Sequence, residues 1–230
     1  IPDKICEGLG FHKDYIDFSH LNNTNVHFGV NASHGIGEHL KEFKSSKVLI
    51  VTDNGILNAG HLKPVIDSLK SYDISFELYS SVKENPSTDD VNDCANFAKN
   101  KSIDLIIGLG GGSSLDTAKG VNFILTNGGV MHDYRGVGKA TQEMLPFIAI
   151  PTTAGTGSEC QSFAIISDSI THEKMACGDL KAAAKLAILD PSLTASQPNH
   201  ISAHTGIDAI SHALETLVTN KRSKHSMQYS

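Results

Sequence analysis

The strongest constraint on how this chain can fold is the alternation of short, wholly apolar runs with longer amphipathic stretches. Val48-Leu49-Ile50-Val51, Ile103-Asp104-Leu105-Ile106-Ile107 and Phe147-Ile148-Ala149-Ile150 offer almost no polar side chain to either face of a strand. A strand that is apolar on both faces must be covered on both faces, the condition of a parallel sheet wound with helices. Between the runs, the spacing predicts helices over 61–71 and 116–125. A further helix is expected over Val91, Ala95 and Ala98, with Thr88 as its cap. Short strands near 76–79, 163–166 and 187–189 complete the alternation, and the fold class is read as α/β with a parallel sheet.

The second of these runs, 103–107, flows into GLGGGSSLDTAKG at 108–120. Gly110, Gly111 and Gly112 remove every Cβ where a strand turns into a helix, so that a backbone there can approach something bulky. The free N–H groups at the helix start attract anions. Ser113 or Ser114 can cap that helix, and Asp116 falls in its first turn, where a carboxylate suits the dipole. The pattern is not G-x-G-x-x-G, because Ser113 stands where the third glycine would be. It reads either as a phosphate cradle or as a tight, conventionally capped turn. Asp53, just past the first run, is placed to accept from a ribose hydroxyl and to repel a 2′-phosphate; an Asx turn in Thr52-Asp53-Asn54-Gly55 is the competing reading. The hydroxyls and glycines of PTTAGTGSE at 151–159 suit a pocket for a polar ligand as well as a surface loop.

With 230 residues the chain has room for one large domain, or one domain and part of a second. A net charge of −6 without any Lys/Arg block argues against nucleic-acid binding. No apolar run is long enough to span a bilayer, and Ile1-Pro2-Asp3-Lys4 has no signal-peptide pattern, so a cytoplasmic location is expected. Cys6, Cys94, Cys160 and Cys177 form no C-x-x-C and are expected to be reduced and mostly buried.

After Asp190-Pro191 the strand pattern ends. Ile201, Ile207, Ile210, Leu214 and Leu217 recur at helical spacing, predicting a helix over 198–218 with Gly206 as a weak point. One helix cannot bury its own stripe, so the chain reads as a domain at 1–195 followed by the truncated start of a helical one at 196–230. His200, His204, Asp208 and His212 follow one another at four-residue steps, and any adjacent pair could grip one metal ion. An ordinary surface or ion pair is the alternative. The apolar neighbours Ala209, Ile210, Ala213 and Leu214 lead us to expect that the Asp208–His212 turn is buried.

Taken together, Val51-Thr52-Asp53, Asn85-Pro86-Ser87-Thr88, GGGSSLDTAK at 110–119, PTTAGTGSE at 151–159 and GIDAISHALE at 206–215 resemble the iron-containing (group III) alcohol dehydrogenase family. The resemblance implies an α/β domain that binds NAD, followed by an all-helical metal-binding domain, a dehydroquinate synthase-like arrangement. It implies cofactor contacts from Asp53 and Asn85 on the adenosine side, and from Gly111, Gly112, Ser113, Ser114 and Asp116 toward the pyrophosphate and nicotinamide. Thr152, Thr153 and Lys174 also line the cofactor in this reading, whereas Gln161 stands where the family often has threonine. Asp208 and His212 match the first two metal ligands, selecting that pair over His204–Asp208. The two remaining histidines come from a later segment, and His225 is too close to His212 to be either. The implied function is reversible, metal-dependent hydride transfer between a small alcohol and NAD, with Fe²⁺ or alternatively Zn²⁺. A glycerol-dehydrogenase-like or metal-independent reductase on the same scaffold is one alternative, and a non-catalytic dinucleotide-binding fragment another. The expected partners are a small-molecule alcohol or carbonyl substrate and further copies of the chain, with neither nucleic acid nor membrane.

Overall fold

The structure, a computed structural model, describes residues 24–220. Cys6, the N-terminal tetrapeptide and His225 lie outside the described residues. The elements run β1 (Asn25–Phe28), α1 (Ile36–Glu42), β2 (Lys47–Val51), α2 (Asn54–Asn58), α3 (Leu62–Ser71), β3 (Ser75–Tyr79), α4 (Thr88–Ala98), β4 (Leu105–Gly110) and α5 (Gly112–Asn127). They continue with β5 (Gly136–Val137), β6 (Phe147–Pro151), β7 (Phe163–Ser167), β8 (Lys174–Gly178), β9 (Leu186–Leu189) and α6 (Asn199–Val218).

Six strands form one wholly parallel sheet in the order β1-β9-β6-β4-β2-β3. Side chains alternate across it as the pleat requires. Leu49, Val51, Ile106, Phe147 and Ala149 meet Val91, Cys94, Ala95, Leu115 and Val121 of α4 and α5 on one face. Val48, Ile50, Leu105, Ile107, Ile148 and Ile188 meet Ile36, Leu40, Val65 and Leu69 of α1 and α3 on the other. The apolar runs are therefore two-sided core, and each buried aliphatic side chain contributes roughly 1.5–3 kcal/mol.

The run at 163–166 does not join this sheet. As β7 it pairs antiparallel with β8, and β5 pairs parallel with β8, forming a separate three-stranded sheet. A hairpin needs only a short turn, which the six residues Asp168 to Glu173 between β7 and β8 supply, whereas a parallel neighbour would demand a crossover of a dozen or more. Two caps also move by one or more residues. Ser87 rather than Thr88 caps α4, in a reciprocal box with Asp90. Gly111 stands at the start of α5, and Ser113 and Ser114 lie inside that helix without capping it.

The helix expected over 198–218 is present as α6, with Pro198 at its start. None of its residues is buried, and Ile207, Ile210, Leu214 and Leu217 are more than half exposed. Burial of the Asp208–His212 turn is therefore overturned: the apolar neighbours are present, but among the described residues nothing packs over them. No helix among the described residues is long and apolar enough to cross a membrane. Cys94 and Cys177 are buried thiols, whereas Cys160 is exposed.

Candidate functional site

The sheet order reverses direction at β2. From there the chain adds β3 on one side, then returns to place β4 on the other. A doubly wound sheet leaves a crevice beyond the strand ends at such a reversal, because the two following connections cross opposite faces. The segments that follow β2 and β4 are those that carry Asp53 and the glycine turn. Over them opens a cleft of about 600 Å³, a volume suited to a small organic ligand or part of a larger one.

Asp53 lines the cleft and caps α2, its Oδ1 accepting from the Ile56 amide at 3.1 Å. Its Oδ2 accepts from Ser114 Oγ at 3.2 Å, which ties the end of β2 to the first turn of α5 across the reversal. The Asx-type cap does not preclude a further acceptor role, since each carboxylate oxygen keeps a second lone pair. On the same rim, Asn85 has a positive φ of 51° and its amide donates to Ser113 Oγ at 3.2 Å.

The glycines have different tasks. Gly110 adopts φ +149°, and a Cβ there would press on Ser114. Gly111 and Gly112 have no such backbone requirement; their use is space. A Cβ on Gly111 would sit 3.3 Å from Thr153 Cγ2, and one on Gly112 would sit 3.3 Å from three atoms of Thr156. The start of α5 thus faces the 151–159 loop across a gap that any side chain would narrow. The hydroxyls of Thr153 and Thr156 are buried without a hydrogen-bond partner. Buried hydroxyls are nearly always paired, so two unpaired ones beside free helix N–H groups mark a place for an acceptor such as a phosphate oxygen. Thr156 was not singled out from the sequence, although it lies in the same hydroxyl-rich motif as Thr152 and Thr153.

Two residues from the sequence reading stand elsewhere. Asp116 does not line the cleft, because the helix turns it inward: Oδ1 accepts from Lys119 Nζ at 3.3 Å and Ser158 Oγ at 3.1 Å, and Oδ2 from the Ile165 amide at 3.3 Å. Burial pushes its carboxyl up, against the pull of the Lys119 charge. Lys174 is also absent from the lining; it is exposed on β8 and reaches the rim by donating to Asn85 Oδ1 at 3.1 Å. The sequence had not flagged the opposite wall, which comes from Leu193, Ser196, Gln197 and the first turns of α6, with Ile201, His204 and Thr205. The α6 helix can lie this close because a Cβ on Gly155 would run into the Thr205 carbonyl.

Farther along α6, His212 Nε2 lies 3.8 Å from Asp208 Oδ1, with both side chains about half exposed. A carboxylate and an imidazole suit a borderline divalent cation, but among the described residues no group of three or more potential ligands is found. The donor chemistry fits a metal; the donor number is that of part of a site.

A sequence profile described as iron-containing alcohol dehydrogenase matches residues 23–191. The chain is 41% identical over 195 residues to a choline dehydrogenase of Bacillus subtilis, covering 84% of this chain and 48% of that protein. It is 40% identical to alcohol dehydrogenase 4 of Schizosaccharomyces pombe, covering 80% of this chain and 44% of that protein. Its fold superposes on an NADH-dependent butanol dehydrogenase A of Thermotoga maritima with a TM-score of 0.83 and 32% identity, over 90% of this chain and 52% of the other. The chain belongs to the iron-containing alcohol dehydrogenase family. It spans about half the length of the curated relatives it matches.

Proposed function

We propose that the chain binds NAD(H) in the cleft at the sheet reversal and serves the reversible oxidation of a small alcohol to an aldehyde or ketone. The observation that carries this is the pair of unpartnered threonine hydroxyls, Thr153 and Thr156, facing the side-chain-free start of α5. In this reading Gly111 and Gly112 admit the pyrophosphate, Thr152, Thr153 and Thr156 donate to it, and Ser113 and Ser114 line its approach. Asp53 accepts from the adenosine ribose, with Asn85 on the same side and Lys174 acting through Asn85. The dinucleotide domain covers 1–195, and α6 begins a helical metal-binding domain at 196–230. Asp208 and His212 hold Fe²⁺ or Zn²⁺ together with ligands from outside the described residues. When bound, such a cation supplies Lewis acidity toward an alcohol oxygen.

Titration with NADH tests the reading directly: saturable binding is expected, and its absence would sink it. Cofactor choice supplies a sharper check. A carboxylate at Asp53 repels a 2′-phosphate, so NADH should bind at least about tenfold more tightly than NADPH. Asp53→Gly should level the two, at a cost of only a few tenths of a kcal/mol in helix capping. Equal or tighter NADPH binding by the unaltered chain would remove Asp53 from that role.

Metal content gives a separate prediction. Two ligands on one helix turn hold an ion weakly, so the 230-residue chain should purify with well under one Fe²⁺ or Zn²⁺ and oxidise alcohols negligibly. In a protein of the relatives' full length, His212→Ala should strip the metal. His204 lines the cofactor cleft, so His204→Ala should change NADH affinity and leave metal content intact. Elemental analysis of both variants decides between the pairs, and loss of metal with His204→Ala alone would show that the wrong one was chosen.

A further inference from the structure

Lys119 closes the glycine motif in sequence, yet its side chain is entirely buried away from the cleft. An ammonium group has three N–H donors, and each has an acceptor: Ser158 O at 2.7 Å, Phe163 O at 2.8 Å and Asp116 Oδ1 at 3.3 Å. Asp116 in turn accepts from Ser158 Oγ and from the Ile165 amide. One ion pair on α5 therefore holds four points of the segment from Ser158 to Ile165.

That segment is the far anchor of the loop facing the glycine turn. At the near end β6 runs into the loop, and the Thr152 amide donates to Gly110 O at 2.9 Å. Between the anchors lie Thr153 and Thr156, with Gly155 and Gly157 at positive φ of 140° and 64°. A span with two such glycines has many alternative conformations, so the positions of its threonines depend on both ends being held. Buried ion pairs add little net stability, because desolvation offsets most of their attraction; specifying geometry is their better-attested use.

We propose that Lys119 and Asp116 form a positioning pair which sets the 152–157 loop at its working distance from the start of α5 and thereby governs affinity for the dinucleotide. The proposal rests on the dinucleotide reading of the cleft. Neither residue touches the ligand; both act through Thr153 and Thr156.

The test compares two probes, NADH and AMP, on the 230-residue chain by calorimetric titration. AMP carries the adenosine side and a single phosphate; it lacks the second phosphate of the pyrophosphate, the one this proposal sets against Thr153 and Thr156. Two variants are used: Ser158→Ala, which removes one tie to Asp116, and the double variant Asp116→Asn with Lys119→Met, which removes both charges without leaving either unpaired. Each should weaken NADH binding, the double variant by about tenfold or more, while AMP binding changes less than about twofold. A purely structural role predicts a lower melting temperature with both affinities unchanged, and that result overturns the proposal. Equal weakening of NADH and AMP overturns it as well. If the double variant does not fold, Ser158→Ala decides by the same two affinities. Failure of the unaltered chain to bind NADH would instead refute the dinucleotide reading, a result visible before any variant is made.

Discussion

Gly112→Val should abolish measurable NADH binding, with a loss of at least about 100-fold in affinity, or roughly 3 kcal/mol. The Cβ alone would lie 3.3 Å from Cβ, Cγ2 and Oγ1 of Thr156, and the two methyl groups of valine extend into the same gap. The space closed is that between the helix N–H groups and the unpaired hydroxyl, where an acceptor would lie. The fold should survive, since Gly112 is a helical residue without a positive φ and valine is not a worse helix former than glycine. Calorimetric titration with circular dichroism as a folding control checks both halves. Undiminished binding by a folded variant would mean that the glycines serve only the strand-to-helix turn.

A second large effect is expected outside the cleft lining, at Asp190, where the carboxylate is 2% exposed and accepts five hydrogen bonds. Its Oδ1 takes the Asn31 and Ser192 amides and Ser192 Oγ; its Oδ2 takes the amide and hydroxyl of Ser33. This knot joins the turn after edge strand β1 to the exit of β9, with which β1 pairs. Asp190→Ala leaves the fully buried Ser33 without those partners, and should cost about 3 kcal/mol. Burial, the largest single influence, pushes the Asp190 carboxyl upward, but the hydrogen bonds from Ser192 and Ser33 together hold it below the usual range. A lowered native pKa means that the stabilisation is complete above the unfolded value of roughly 3.9 and is lost as pH falls through the native one. Urea unfolding at neutral pH should therefore show the full gap between the unaltered chain and Asp190→Ala, and the gap should narrow as the pH is taken below the unfolded value. A gap that is absent at neutral pH would remove the knot from any stabilising role.

The parallel sheet was legible because its signal is local. Val48-Leu49-Ile50-Val51 and Phe147-Ile148-Ala149-Ile150 are apolar on both faces whatever lies beside them, and only a sheet covered on both sides accommodates such strands. The glycine turn was legible for the same reason, since a strand, three glycines and a helix are contiguous. The α6 helix followed from its periodicity, but its surroundings did not: flanking alanines and isoleucines state what a face prefers, not whether anything covers it.

By itself, then, the sequence determined the α/β class, the places where strands give way to helices, and the family to which the chain belongs. Which way Asp116 faces was decided by tertiary structure, because its partners Ser158 and Ile165 stand 42 and 49 residues away. So were the Asp53–Ser114 contact across the sheet reversal, the hairpin of β7 with β8, and the wall that α6 lends to the cleft. Periodicity and capping arise among residues a few positions apart, so a linear reading captures them. Which two distant segments meet depends on the packing of the whole chain, and in this protein the cleft is lined by segments far apart in sequence.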